Sequence, residues 1–308
     1  MDEVSLKNVL TKYGIGELIS AKQTQRESPN LQRCYFLDTT KGKYFLKRYN
    51  TFSYSKRKGL DLIKFLYEND YPCIKVILSN QSQPYVVHEG FVYALFEAIT
   101  IPDIWNISEN EAFDMGKQLG RLHILAKDMQ IRKSPVDYFE LLNIFNDFKK
   151  NIPTIPGEHR NKLEYIEQVY PYLALPDDLP QSICHGEFTP EHIFFSEENI
   201  VKIIDWDLVG YDYMFYDLAT ALIGCFQDGV LKFNILSQIL KGYESSRKLT
   251  DWEQNHIFEG VQFGVIKFAI WYLDDIDIKG WENFDINLKE IMKYDKNSFD
   301  NKLNTYLK

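Results

Sequence analysis

Ile183-Cys184-His185-Gly186-Glu187-Phe188-Thr189-Pro190-Glu191-His192-Ile193-Phe194-Phe195, a polar turn Ser196-Glu197-Glu198-Asn199, and Ile200-Val201-Lys202-Ile203-Ile204-Asp205-Trp206-Asp207 form the stretch on which the fold turns. Two apolar runs, 193–195 and 200–204, flank a short polar turn, the sequence form of a β-hairpin. His185, Glu187 and His192 precede the first strand, and Asp205 and Asp207 close the second. Antiparallel pairing brings those two ends together. The expected result is a cluster of carboxylates and imidazole on loops held by one rigid element.

Phosphoryl transfer needs such a cluster. Its transition state is loose, so the protein mainly holds the acceptor hydroxyl in line and neutralises charge on the phosphates. A carboxylate beside the hydroxyl does the first job, while a lysine and oxygen-bound Mg²⁺ do the second.

The layout resembles the catalytic core of the aminoglycoside phosphotransferase family, relatives of the protein kinases, whose pattern is H-G-D-x-x-x-x-N followed by I-D-[FW]-[DEG]. This chain reads His185-Gly186-Glu187, four residues, His192, then Ile204-Asp205-Trp206-Asp207, with Tyr216-Asp217-Leu218-Ala219 beyond. His192 stands where most of the family has a metal-binding Asn, as in the 2''-aminoglycoside phosphotransferases, the nearest in core motif. An imidazole can coordinate a divalent ion in place of an amide oxygen. Glu187 stands where the family has its catalytic Asp. The extra methylene adds roughly 1.5 Å, and a misplacement near 1 Å costs about 10²-fold in rate. Glu187 therefore works from a shifted backbone or works poorly.

The resemblance implies an α+β, two-lobed protein-kinase-like fold. Its small antiparallel-sheet N-lobe, residues 1–98, binds nucleotide and ends in the hinge; a mainly helical C-lobe, residues 99–308, carries the catalytic hairpin and acceptor site. It also implies roles for residues. Glu187 orients the acceptor hydroxyl, and His192 and Asp205 hold Mg²⁺. Lys47, in Tyr44-Phe45-Leu46-Lys47-Arg48-Tyr49, matches the strand lysine that pairs with the α- and β-phosphates of ATP or GTP, although adjacent Arg48 shows that position alone does not decide. Ser28 is the candidate phosphate contact in a loop, 23–30, that contains no glycine; it reads equally as an ordinary turn residue. In the expected hinge Leu95-Phe96-Glu97-Ala98, the backbones of Phe96 and Ala98 would meet the purine edge. Where the family has a helix acid to pair with the lysine, this chain aligns Gly59, with Asp61 the nearest acid. A family Asp that braces the catalytic loop corresponds to Asp217, which also reads as the cap of a helix starting at Leu218.

Bulk properties are consistent with this reading. At 308 residues the chain exceeds the size at which one core keeps growing, and 45% hydrophobic content suffices for packed interiors. The longest apolar stretch, 90–101, is interrupted by Glu97, so neither a signal peptide nor a membrane span is expected. Four dispersed cysteines with no C-x-x-C suit a reducing, cytoplasmic setting. A net charge of -9 argues against nucleic acid as a partner. Residues 1–100 carry 14 Lys and Arg against 10 Asp and Glu, and the remainder carries 21 against 34. A basic first lobe suits a nucleotide polyphosphate and an acidic second lobe a cationic acceptor, although solubility alone also accounts for the bias.

Helical periodicity predicts a helix over 3–13 ended by Gly14, one over 55–69 with Leu60, Ile63, Leu66 and Tyr67 on one side, and others over 138–150 and 158–170. Capping boxes at Ser108-x-x-Glu111 and Thr250-x-x-Glu253 open two more, the second running to Leu273. His123 reads as a hydrogen-bonded core residue. Asp274, Asp275 and Asp277 read as a solvated helix end. Strands are predicted at 17–20, 33–38, 43–49, 85–88 and 91–96, making a five-stranded sheet.

The expected activity is transfer of the γ-phosphoryl of ATP or GTP to a hydroxyl of a small molecule, with an aminoglycoside or another amine-bearing alcohol as the acceptor class, by a monomer or weak dimer. The alternative, motivated by Glu187, the missing helix acid and the glycine-free loop, is a catalytically weak, pseudokinase-like nucleotide-binding regulator.

Overall fold

The computed structural model describes residues 3–24, 33–49, 54–99, 106–129, 138–151, 157–274 and 286–308. The chain forms two compact units, one of residues 1–102 together with 202–207, the other of residues 103–201 and 208–308.

The smaller unit is built on an antiparallel sheet. Its strands are β1 (Leu18–Gln23), β2 (Arg33–Thr39), β3 (Gly42–Tyr49), β4 (Val76–Ile77), β5 (Val86–His88) and β6 (Phe91–Glu97), in the order β1-β2-β3-β6-β4 with β5 also on β6. The expected five strands become six, because β4 has two residues, too few for any alternation to show. Helix α1 (Glu3–Leu10) buries Leu6, Val9 and Leu10, with Tyr13 after it, in one core with Tyr35, Leu37, Leu46, Tyr93 and Leu95. The Tyr13 hydroxyl donates to Tyr93 O at 2.9 Å, so its one polar atom is satisfied inside that core. Gly14 does not end α1. The helix closes at Leu10 through Thr11 N–H to Lys7 O, and the left-handed residue is Gly16, at φ +82°. Helix α2 (Tyr54–Glu68) buries Leu60, Ile63 and Leu66, but Tyr67 is exposed.

Residues 202–207 complete this unit from far along the chain. Ile203 bridges Cys73 in parallel and its carbonyl accepts Ile74 N–H at 2.9 Å. Lys202 pairs with Glu97, and Trp206 meets Tyr71 edge-on.

The larger unit is mainly helical. Helix α3 (Glu109–Leu125) begins with the expected capping box, Ser108 and Glu111 exchanging both hydrogen bonds. It is followed by α4 (Tyr138–Asn151) and α5 (Gly157–Val169). Strand β7 (Gln181–Cys184) pairs with β10 (Gly210–Tyr213), and between them lies the expected hairpin of β8 (Ile193–Ser196) and β9 (Asn199–Ile203). Its two turn residues, Glu197 and Glu198, both have positive φ, the requirement of the tight hairpin turns that follow strand twist. Then come α6 (Met214–Ala221), α7 (Phe233–Ser246), α8 (Asp251–Asn255) and α9 (Ile257–Asp274).

Helices α3 and α7 approach backbone to backbone. A Cβ at Gly116 would overlap Ile239 O, and one at Gly242 would overlap Phe113 O, so only glycine permits this spacing. The Thr250-Glu253 capping box forms, but the helix it opens lasts only to Asn255 before α9 starts at Ile257, replacing the single helix expected to Leu273. Val261, Val265 and Ile257 are buried as the periodicity requires. Asp274 ends α9, while Asp275 and Asp277 lie outside the described residues. Residues 286–291 are helical, and Lys296–Leu307 forms a last helix capped by Asp295. Among the described residues, no helix is long and apolar enough to cross a membrane.

Candidate active site

In the smaller unit the alternation of β3 decides which way its side chains face. Leu46 is fully buried in the core against α1, so Lys47 points from the opposite face. Its Nζ lies 2.6 Å from Asp207 Oδ2 and 3.2 Å from Asp205 Oδ1. The Tyr49 ring lies 5.8 Å away, and its hydroxyl donates to Asp207 Oδ1 at 3.5 Å. Burial works against the Lys47 charge, yet Asp205 and Asp207 outweigh it and hold the ammonium well above its ordinary pKa.

The local chain explains how two carboxylates two residues apart reach one ammonium. Ile203 is fixed to Cys73 and Ile74, and Trp206 Nε1 donates back to Ile203 O at 3.1 Å. Between them Asp205 adopts φ +58°, a left-handed conformation that aspartate tolerates better than most L-residues. Residues Trp206–Leu208 then make a single 3₁₀ turn that returns Asp207 to the same side.

Among the described residues of α2, no acid takes the place of these partners: Asp61 is partly exposed and lies 3.9 Å from Lys58. At the end of β6, Phe96 pairs in register with Phe45 and Val76, and Ala98 N–H donates to Lys43 O at 3.3 Å. Ser28 lies outside the described residues.

In the larger unit, the loop leaving β7 holds His185, Gly186 and Glu187. Gly186 sits at φ +84°, and a Cβ there would stand 2.7 Å from Leu208 O, so this position admits only glycine without a shift. His185 N–H and Gly186 N–H donate to the two oxygens of Asp217, at 2.7 and 2.9 Å. Asp217 therefore does not cap the helix starting at Leu218. It lies inside α6, whose N-cap is Tyr213, because its oxygens are committed to the loop. Glu187 follows, half-buried, with its N–H donating to His185 Nδ1 at 3.2 Å.

Thr189 and Pro190 start a 3₁₀ turn ending at His192, whose Nδ1 donates to Glu187 O at 2.9 Å. A carbonyl only accepts, so this bond leaves the imidazole lone pair on Nε2, the form in which histidine binds a metal.

Asp217 is itself held from behind. His123 Nε2 lies 3.1 Å from Asp217 Oδ2, and His123 Nδ1 lies 2.7 Å from the Tyr243 hydroxyl. Arg247 donates to that hydroxyl and, through both terminal nitrogens, to Glu253 at 2.9 and 3.0 Å. Glu253 is also the acid of the α8 capping box. Burial alone would raise the Asp217 carboxyl, but the His123 bond, the charges of His123 and His185 and the His185 amide more than offset it, so its pKa is lowered. On the other side of the loop, Lys267 of α9 donates to Gly186 O and to Thr220 Oγ1.

The residues singled out from sequence thus fall into two groups. Lys47 and Asp205 meet within the smaller unit, and Glu187 and His192 meet within the larger. Asp207, Tyr49, Arg247 and Lys267 were not assigned roles by the sequence. Asp207 alone carried a usable signal, since it closes the Ile204-Asp205-Trp206-Asp207 motif.

Comparison with known proteins adds a family to this geometry. The model of a family described as the phosphotransferase enzyme family matches residues 22–253. The homoserine kinase of Bradyrhizobium sp. (strain ORS 278) is 25% identical over 282 residues, covering 88% of this chain and 84% of that protein. The homoserine kinase of Gluconobacter oxydans (strain 621H) is 29% identical over a shorter match, which covers 55% of each chain. Among solved structures, amicoumacin kinase hAmiN, in complex with AMP-PNP, Ca²⁺ and Ami, superposes with a TM-score of 0.73 at 17% identity, over 97% of both chains.

Proposed function

From the premise that this chain belongs to the phosphotransferase enzyme family and is a small-molecule kinase, we propose that it moves the γ-phosphoryl of ATP or GTP to a hydroxyl of an amine-bearing alcohol. Homoserine, which has both groups, is the first acceptor to test. The observation that carries this reading is Lys47, held by Asp205 from 158 residues downstream and by Asp207 beside it.

Lys47 is the proposed phosphate ligand. A triphosphate would offer its ammonium oxygens to replace or share those of the two aspartates, so the cation is kept charged and aimed before nucleotide arrives. Phe96 and Ala98 are proposed for the purine edge. Because Ala98 N–H already donates to Lys43, its carbonyl is the group offered. Ser28 remains the proposed contact of the phosphate-covering loop.

For a divalent cation, Asp205 is proposed to supply a carboxylate oxygen and His192 its Nε2, the nitrogen left with the lone pair when Nδ1 donates to Glu187 O. Mg²⁺ is the proposed ion, and when bound it would neutralise charge building on the phosphates. Glu187 is the proposed catalytic carboxylate, accepting the hydroxyl proton and holding that oxygen in line. His185, Gly186 and Asp217 do no chemistry in this scheme; they fix the backbone from which Glu187 reaches.

A second reading, a nucleotide-binding regulator with little turnover, is favoured by one observation. The two acids that hold Lys47 include the very carboxylate proposed for the metal. Calorimetry with Mg·ATP and Mg·GTP, beside a phosphorylation screen of amine-bearing alcohols, separates the two. Turnover of homoserine or an analogue, lost by about 10²- to 10⁴-fold in Glu187→Gln with nucleotide affinity kept, supports the kinase. Nucleotide binding without transfer to any acceptor supports the regulator.

A further inference from the structure

Lys267 lies in the middle of α9, is 5% exposed, and is used by nothing in the scheme above. A buried lysine is expensive unless it is paired and hydrogen-bonded, so its presence calls for a reason. Its ammonium donates to Gly186 O and to Thr220 Oγ1, the latter at 3.2 Å. The carboxylates of Asp217, Glu187 and Asp212 lie close enough to favour its charge, although burial still lowers its pKa. Lys267 lines a small cavity behind the loop with Gly186, Asp212, Asp217, Thr220 and Phe263.

The position of the bond matters more than its existence. Gly186 N–H is taken by Asp217 of α6, and Gly186 O is taken by Lys267 of α9. One peptide unit before Gly186 is thus held by a buried anion, and the next, which leads into Glu187, by a buried cation. The glycine between them has the greatest backbone freedom of any residue. Without the second hold, the peptide joining Gly186 to Glu187 would keep only the Glu187 N–H bond to His185 Nδ1, at 3.2 Å, and could turn more freely while the Asp217 bonds stayed intact.

We propose that Lys267 is a positioning residue for Glu187: its bond to Gly186 O fixes the peptide plane from which the longer carboxylate reaches the acceptor hydroxyl. The proposal rests on the reading of Glu187 as the catalytic carboxylate. Asp217 sets where the loop lies, and Lys267 sets how its last peptide is turned. A misplacement of about 1 Å at a reacting group costs on the order of 10²-fold in rate. Loss of Lys267 should therefore be read in kcat and not in nucleotide binding.

The test uses the full chain with Lys267→Met, which keeps length and apolar stem and removes the donor. The expected result is a fall in kcat of about 10- to 100-fold with the nucleotide KM within about twofold, and faster amide exchange across residues 186–188. A kcat within twofold of wild type per folded molecule, or unchanged exchange across 186–188, overturns the proposal. If Lys267→Met does not fold, Lys267→Arg decides. It keeps the charge but not the point geometry, so a lowered kcat at unchanged KM supports the proposal and a wild-type kcat overturns it. If the wild-type chain phosphorylates no acceptor, the functional reading fails, and the exchange arm still tests whether Lys267 fixes the loop.

Discussion

Lys47 carries two carboxylates on one ammonium, and the two have different tasks. Asp205 belongs to the proposed metal site; Asp207, at 2.6 Å, is the nearer partner. Asp205→Asn should therefore abolish transfer. Asp207→Asn should raise the nucleotide KM by several-fold while kcat changes less, a split read from steady-state kinetics. Asp217 gives a prediction on the pH axis. Its folded pKa is lowered, so its contribution to stability is present above the unfolded value near 4 and is lost as pH falls through the folded value. Thermal melts between about pH 3 and 6 should steepen toward acid in the wild type, and less so in Asp217→Asn. Glu187→Asp tests reach. With the Gly186 peptide held on both sides, the shorter side chain withdraws by roughly 1.5 Å, and kcat should fall by about 10²-fold.

At the scale of elements, the brace on Asp217 depends on a helix pair. His123 comes from α3 and Tyr243 from α7, and their 2.7 Å bond is possible because Gly116 and Gly242 let the two backbones approach. Gly242→Ala pushes Cβ into Phe113 O, an overpacking that costs about 1–3 kcal/mol. The melting temperature should drop by roughly 2–10 °C, and kcat should fall further than in a core variant of equal stability loss, because His123 moves with α3. This is also where sequence reading reached its limit. The hairpin of β8 and β9, the capping boxes at Ser108 and Thr250 and the strand holding Lys47 were legible, because each is written within a few consecutive residues. Strand β4 was too short to show a period, and the break at His256 between α8 and α9 carries no proline or glycine. The roles of Lys267 and Asp207 depend on partners the chain supplies from elsewhere. Asp217 divides the two kinds of reading: its position suggested a helix cap, which it is not, whereas the family resemblance suggested a brace for the loop, and its partners 31 and 32 residues earlier do claim both oxygens.

At the scale of the whole molecule, the α+β architecture pairs a small sheet lobe with a mainly helical lobe, as in the protein-kinase-like small-molecule kinases. Acidic side chains outnumber basic ones 34 to 21 after residue 100, a bias that would attract an acceptor of net positive charge if it acts as a steering field and not for solubility alone. The KM for an acceptor of net positive charge should accordingly rise several-fold between about 0.05 and 0.5 M salt, while that for an uncharged alcohol or for zwitterionic homoserine changes little.

The smaller unit has a further consequence, because its last piece, residues 202–207, is translated about a hundred residues after the rest. At roughly 5–20 residues per second, a nascent chain spends several seconds with its first hundred residues out and Lys47 lacking both counter-ions. Ribosome-bound intermediates stopped short of Asp207 should therefore be open to protease around β3, and should become resistant only once that aspartate has cleared the exit tunnel.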